Sequence, residues 1–174
     1  MVQEVGNYSE QKQLLIHTLE LERLRGNDTH VARTLVDLSD VNRQVGAYEE
    51  GIRQAKEALE ILERIGNTVE QPHCLGKLAW LLLDDKQLEA AQEAAARAIT
   101  LVTEEGQEYL VCDLHRILGK IWGSKGEKEK AIHHFETALG IASPPNWDDQ
   151  LFGFMARWFS YFVMKKNTTM QTSM

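Results

Sequence analysis

Two nearly identical stretches, Glu22-Arg23-Leu24-Arg25-Gly26-Asn27 and Glu63-Arg64-Ile65-Gly66-Asn67, each place a glycine before an asparagine, and the two glycines are forty residues apart. Gly106 extends that series by another forty. A second series, Gly6, Gly46 and Gly126, is offset by half a period; its missing member falls at Lys86, where Asp84-Asp85-Lys86 can still make a polar turn. Glycine just past an apolar-periodic run marks a helix end, because it enters the left-handed conformation without a Cβ clash. Two marks per forty residues therefore predict two helices per repeat.

Between the marks, apolar residues recur three or four apart. Leu35, Leu38, Val41 and Val45 are followed by Ile52, Ala55, Leu59 and Leu62. The next period runs through Leu75, Leu78, Leu81 and Leu82, then Leu88, Ala91, Ala95, Ala98 and Leu101. The last runs through Leu114, Ile117, Leu118 and Ile121, then Ala131, Phe135, Ala138 and Leu139. Such stripes bury one helix face, and no alternating β-branched run competes as a strand. The spacing predicts helices over residues 8–25, 29–45, 48–65, 69–84, 88–104, 108–123, 127–142 and 148–165. Ser143-Pro144-Pro145-Asn146 breaks the chain as a turn, since proline ends a helix and turns its predecessor away from the helical region. The polar end after Met164 has little to bury and reads as a disordered tail over 167–174.

Composition narrows the function. With 19 Lys plus Arg against 26 Asp plus Glu, the net charge is -7, which argues against a basic nucleic-acid binder. Cys74 and Cys112 are too few and too far apart for a disulfide lattice or a CxxC site, and read as reduced thiols of a cytoplasmic protein. The first residues lack a secretory signal, and no window reaches the about 18 apolar residues of a membrane span.

With Leu118, Gly119, Trp122, Gly126, Ala131, Phe135, Ala138 and a slightly displaced Pro144, the third complete unit resembles the tetratricopeptide repeat (TPR). The first unit carries Leu38, Gly46, Tyr48, Gly51, Ala55 and Ala58, with Ser39 where the family favours glycine and Asn42 where it favours an aromatic. The middle unit carries Leu78, Ala79, Leu82, Leu88, Ala91, Ala95 and Ala98. The usual TPR period is about 34 residues. At forty, this chain is similar to the long-period variants of regulatory and signalling proteins, kinesin light chains among them. The resemblance implies an all-α, right-handed superhelix of about eight helices stacked as antiparallel pairs. It divides a single domain over 1–166 into a half repeat at 6–26, full repeats at 28–66, 68–106 and 108–143, and a terminal helix at 148–165.

The resemblance also implies that the first helix of each pair lines a concave groove. Equivalent positions there are Arg33, His73 and Asp113; Val36, Gly76 and Arg116; Asp40, Trp80 and Lys120; with Asp37, Arg43, Lys77 and Asp84 beside them. Co-chaperone members of the family hold a partner's terminal carboxylates at positions occupied here by Val36 and Asp40, Lys77, and Asp113 and Ile117. Only Lys77 suits that task, and Asp40 would repel a carboxylate. A protein or peptide segment fits better, with Trp80 as an apolar anchor among Arg33, Arg43, Lys77, Arg116 and Lys120. The alternative role for Trp80 is packing between adjacent helices.

Catalysis has no sequence support. His133 and His134 are neighbours on a helix and point apart, Cys112 and His115 have no third group to orient the histidine, and Glu49-Glu50 and Asp84-Asp85 read as solvated helix ends. No phosphate-binding glycine loop occurs, so neither cofactor nor metal is expected.

The segment from Leu151 is unusually aromatic. Leu151, Met155, Trp158 and Phe162 form one helical face, but Phe152 and Phe159 cannot share it, whereas a terminal cap presents a polar exterior. Residues 8–25 resemble a second helix without its first, and 148–165 a first helix without its second. These incomplete ends lead to the expectation of a larger parent or a second copy, with a closed homodimer joined through the terminal half-repeats. Intramolecular capping and membrane-surface contact are the alternatives.

Overall fold

The computed structural model describes residues 2–102 and 107–142. Within them lie seven α-helices, α1 (Val2–Arg25), α2 (Asp28–Gln44), α3 (Tyr48–Arg64), α4 (Gln71–Asp84), α5 (Leu88–Leu101), α6 (Glu108–Ser124) and α7 (Lys128–Ala142), and no strand. The predicted eighth helix, 148–165, lies outside the described residues, as does Gly106.

Five turns share one construction. After α1, Gly26 N–H donates to Arg23 C=O and Asn27 N–H to Glu22 C=O; the same pair of bonds closes α2, α3, α4 and α6. This double closure satisfies carbonyls orphaned at a helix end and needs one left-handed residue. Gly26, Gly46, Gly66 and Gly126 supply it, and Lys86 adopts φ 66° at the place where glycine is missing. Among the described residues the forty-residue ruler thus measures turns, with one exception: Gly6 lies inside α1, which starts at Val2 rather than residue 8. α4 begins at Gln71, two residues later than expected, because Asn67 Oδ1 accepts from the Glu70 N–H and Pro72 occupies the first turn.

Each helix packs on the next in sequence; in addition α2 touches α4 and α4 touches α6. Successive outer helices α1, α3, α5 and α7 make no such backbone approach among the described residues. Closer spacing of the inner layer makes its free face concave. Between the layers runs a continuous core that includes Leu35, Leu38, Leu62, Leu75, Leu81, Leu114, Ile117 and Ile121, all nearly inaccessible. Small residues set the close approaches: a Cβ at Gly51 would stand 2.6 Å from Leu81 Cδ2, and one at Gly119 would meet the Phe135 ring at 2.6–2.8 Å.

The two departures in the first unit are filled by polar chemistry. Ser39 donates to Val36 C=O at 2.7 Å. Buried Asn42 donates to Gln54 Oε1 at 2.7 Å and accepts from Lys12 Nζ at 2.8 Å, while Lys12 also pairs with Glu50 at 3.1 Å. An aromatic would sever this network, which ties α1 to α2 and α3.

Candidate functional site

α2, α4 and α6 bring Asp40, Arg43, Lys77, Trp80, Asp84, Asp113, Arg116 and Lys120 together on the concave face. Trp80 is the centre. Its indole is only 9% exposed and its Nε1–H donates to Asp113 Oδ2 at 2.9 Å, the pairing that a buried indole requires. Over the ring stand Lys120 Nζ at 4.5 Å from the centroid, Arg116 Cζ at 5.5 Å and Arg43 Cζ at 5.7 Å, each within reach of the ring's negative face.

Carboxylates hold the cations. Asp113 Oδ1 takes Arg116 at 2.7 Å, Asp84 takes Arg43 at 3.1 Å, and Asp40 bridges Arg43 at 3.3 Å and Lys77 at 3.2 Å. Burial works to raise the Asp40 pKa, but Lys77 and Arg43 outweigh it and hold the carboxyl below its usual range. Lys120 is depressed from its ordinary value by burial and by Arg116 and Arg43, against the pull of Asp84 and Asp113. Asp84 is therefore part of the groove rather than a merely solvated helix end.

Arg33, Val36 and His73 lie beside this cluster, lining a cavity of about 220 Å³ with Ala32, Asp37, Leu62 and Glu70. Burial first, then Lys77, lowers the His73 pKa, so the cavity and the cluster are electrostatically coupled through Lys77. Arg33 Nε and Nη2 both donate to Glu70 Oε1. Glu70, the residue just before α4, was absent from the sequence-derived groove set, because the helix predicted from residue 69 gave no sign that its first turn meets Arg33 on α2. Trp80 does two things that the sequence posed as alternatives: it packs in the core and carries the groove's cations, so the accessible surface is the cations rather than the ring.

The remaining chemistry-bearing residues resolve as packing. Cys74 and Cys112 are buried and donate to Ala55 and Ala138 C=O at 3.3 and 3.4 Å; burial pushes the Cys74 thiol up to about 12. His115 meets His134 on α7, Nδ1 to Nδ1 at 3.0 Å, rather than Cys112. Among the described residues no three histidine, cysteine or acidic side chains gather as a metal site, and no helix is long and apolar enough to cross a membrane. Leu151, Phe152, Met155, Trp158, Phe159 and Phe162 lie outside the described residues.

Comparison with known proteins agrees with the all-helical architecture. The tetratricopeptide repeat family model matches residues 30–104, the span of α2 to α5. No curated protein matches the chain in sequence. Among solved structures, BtubC (BKLC) from P. vanneervenii is 22% identical with a TM-score of 0.68, over 78% of this chain and 57% of that one, so the chain spans little more than half of BtubC. MamA is 21% identical with a TM-score of 0.59, over 80% of this chain and 71% of that one. A second MamA structure, also 21% identical, gives 0.52 over 76% and 74%. At these identities the likeness concerns the fold. The family match is confined to residues 30–104, and the seven described helices form an all-α fold that resembles a TPR-like solenoid.

Proposed function

We propose that the chain is a non-catalytic scaffold that receives a peptide or protein segment on its concave face, at the cations held over Trp80. The observation carrying this reading is the convergence of Arg43, Arg116 and Lys120, from two flanking inner helices, on the buried indole of the third. The arrangement is preorganised, since each of the two arginines has a carboxylate partner and part of its side-chain entropy is already spent. Arg43, Lys77, Arg116 and Lys120 face Asp40, Asp84 and Asp113, a mixed surface suited to a segment carrying both polar and charged groups. The Arg33–His73 cavity, about 220 Å³, is below the about 300–1,000 Å³ of small-molecule sites and accommodates one side chain of such a segment. A co-chaperone type of carboxylate clamp is disfavoured by Asp40, which already occupies Lys77.

TPR domains typically serve protein–protein interaction, and the match over 30–104 supports that role here. In this reading the chain forms one domain over 1–166 and a right-handed, long-period stack like those of regulatory proteins. It works in the cytoplasm without a cofactor, and its -7 charge is spread over solvated helix faces. A photo-crosslinking residue placed at Lys120 tests the groove against the same residue placed at Arg53 on α3. Partner capture in cell extract is expected from the Lys120 position, abolished by Arg116→Glu in the same chain; equal capture from both positions contradicts the reading.

A further inference from the structure

The concave face carries its charge unevenly. At one end is the cavity, with buried Val36 and Leu62 in its floor and Arg33, Asp37, Glu70 and His73 around them. Both Arg33 donors go to Oε1 of Glu70, which leaves Oε2 open. No hydrogen bond reaches the Asp37 carboxylate among the described residues, and Lys77, which acts on it through space, is paired with Asp40. Burial keeps the His73 pKa low, so at neutral pH the imidazole adds no positive charge. The cavity therefore sets one cation against two carboxylates, each accessible to solvent.

At the other end the balance reverses. Arg43, Arg116 and Lys120 stand over Trp80 against Asp84 and Asp113, three cations to two carboxylates. Burial, Arg116 and Arg43 together outweigh those carboxylates at Lys120, whose pKa is depressed. The Lys77–Asp40 pair lies between the two ends and adds nothing to either count. Nor does the rest of the stripe: one turn nearer the helix starts it continues through Thr29, Val69 and Tyr109, and beyond Trp80 through Gln44 and Ser124. His73 and Trp80 are seven residues apart on α4, about 10 Å along the helix. With a sideways step toward α6 of about half the 8–10 Å between packed helices, the two ends are spanned by about three or four residues of extended chain.

Resting on the concave-face reading above, we propose that the bound segment is extended and bipolar: a lysine or arginine enters the Arg33–His73 cavity, and an aspartate or glutamate about three or four residues away meets Arg43, Arg116 and Lys120 over Trp80. The stem of the basic side chain lies on Val36 and Leu62, and its head reaches Asp37 and the open oxygen of Glu70, as a long cationic side chain does when an apolar floor ends in acceptors. The acidic side chain enters the end where cations are in excess and relieves their mutual repulsion at Lys120. Placed the other way round, each charge meets its like, so the face excludes segments as well as admitting them.

The test is fluorescence polarisation of the intact chain with fluorescein-labelled peptides on one serine–alanine background. They carry arginine and glutamate at the matched spacing in each order, at about twice that spacing, and singly. At the matched spacing one of the two orders should bind about tenfold more tightly than either single-charge peptide, with an advantage that shrinks as salt is added. Asp37→Asn should weaken the arginine-only peptide and leave the glutamate-only peptide unchanged, and Lys120→Gln should do the opposite, with helix content of both variants checked by circular dichroism. No binding up to about 1 mM, equal binding by matched and wide spacings, or a loss of the glutamate-only peptide with Asp37→Asn overturns the proposal. The concave-face reading fails separately: random peptides that lose affinity with Arg116→Ala, carry no such charge pair and ignore Asp37→Asn overturn the charge order and leave that reading standing.

Discussion

At the residue scale, Asn42 and Trp80 mark how far side-chain chemistry can be read from order alone. Asn42 was visible as a departure from an aromatic position, but its partners Gln54 and Lys12 come from α3 and α1 and needed the packing to be found. Replacing Asn42 with alanine leaves the buried Gln54 carbonyl without its donor, and should cost about 1–3 kcal/mol in urea unfolding. Trp80 was legible as a large aromatic on an inner helix. Its acceptor Asp113 stands 33 residues away on another helix, so the sequence allowed either packing or ligand contact. Repeat alignment did bring Asp40, Trp80 and Lys120 into one column, because equivalent positions on stacked inner helices are neighbours in space. It did not reveal that Arg33, Val36 and His73 line a cavity beside them, since that depends on which turn of the helix faces which neighbour.

At the scale of elements, turns were the most legible feature. A helix end needs a left-handed residue, and glycine advertises it; Lys86 shows that the ruler holds where glycine is absent. Lys86→Gly removes the Cβ strain of that conformation at some cost in chain entropy, and should raise stability by about 0.5–1 kcal/mol in thermal or denaturant melts. Gly6 misled because a glycine inside a helix leaves the same letter in the sequence as one at its end. The α6–α7 pair carries a pH dependence. Burial first, then neighbouring histidines, hold the His115 and His134 pKa values below ordinary: His133 acts on His115, and His115 ahead of His133 acts on His134. The unfolded chain therefore takes up protons more readily. The contribution of this contact is complete above the unfolded value of about 6.5 and is lost as pH falls through the lower folded values. Melting temperature should drop between about pH 7 and 5, and less steeply in His134→Gln.

For the whole molecule, the forty-residue period made the layered order of helices readable before any contact was known. Curvature was not readable from the period itself: it follows from α2, α4 and α6 touching while the outer helices stand apart. That curvature converts three ordinary inner helices into a face on which four cations and three carboxylates surround one indole. The central claim is that this face, and not the outer one, receives a protein segment. Peptides selected from a displayed random library against the intact chain provide the direct measurement, with affinities read by fluorescence polarisation for wild type, Arg116→Ala, Lys120→Ala and the outer-face control Arg53→Ala. Each inner substitution should weaken binding by about tenfold, near 1.4 kcal/mol, and the outer one should leave it unchanged. Peptides that bind all four proteins equally, or that lose affinity only with Arg53→Ala, would contradict the account.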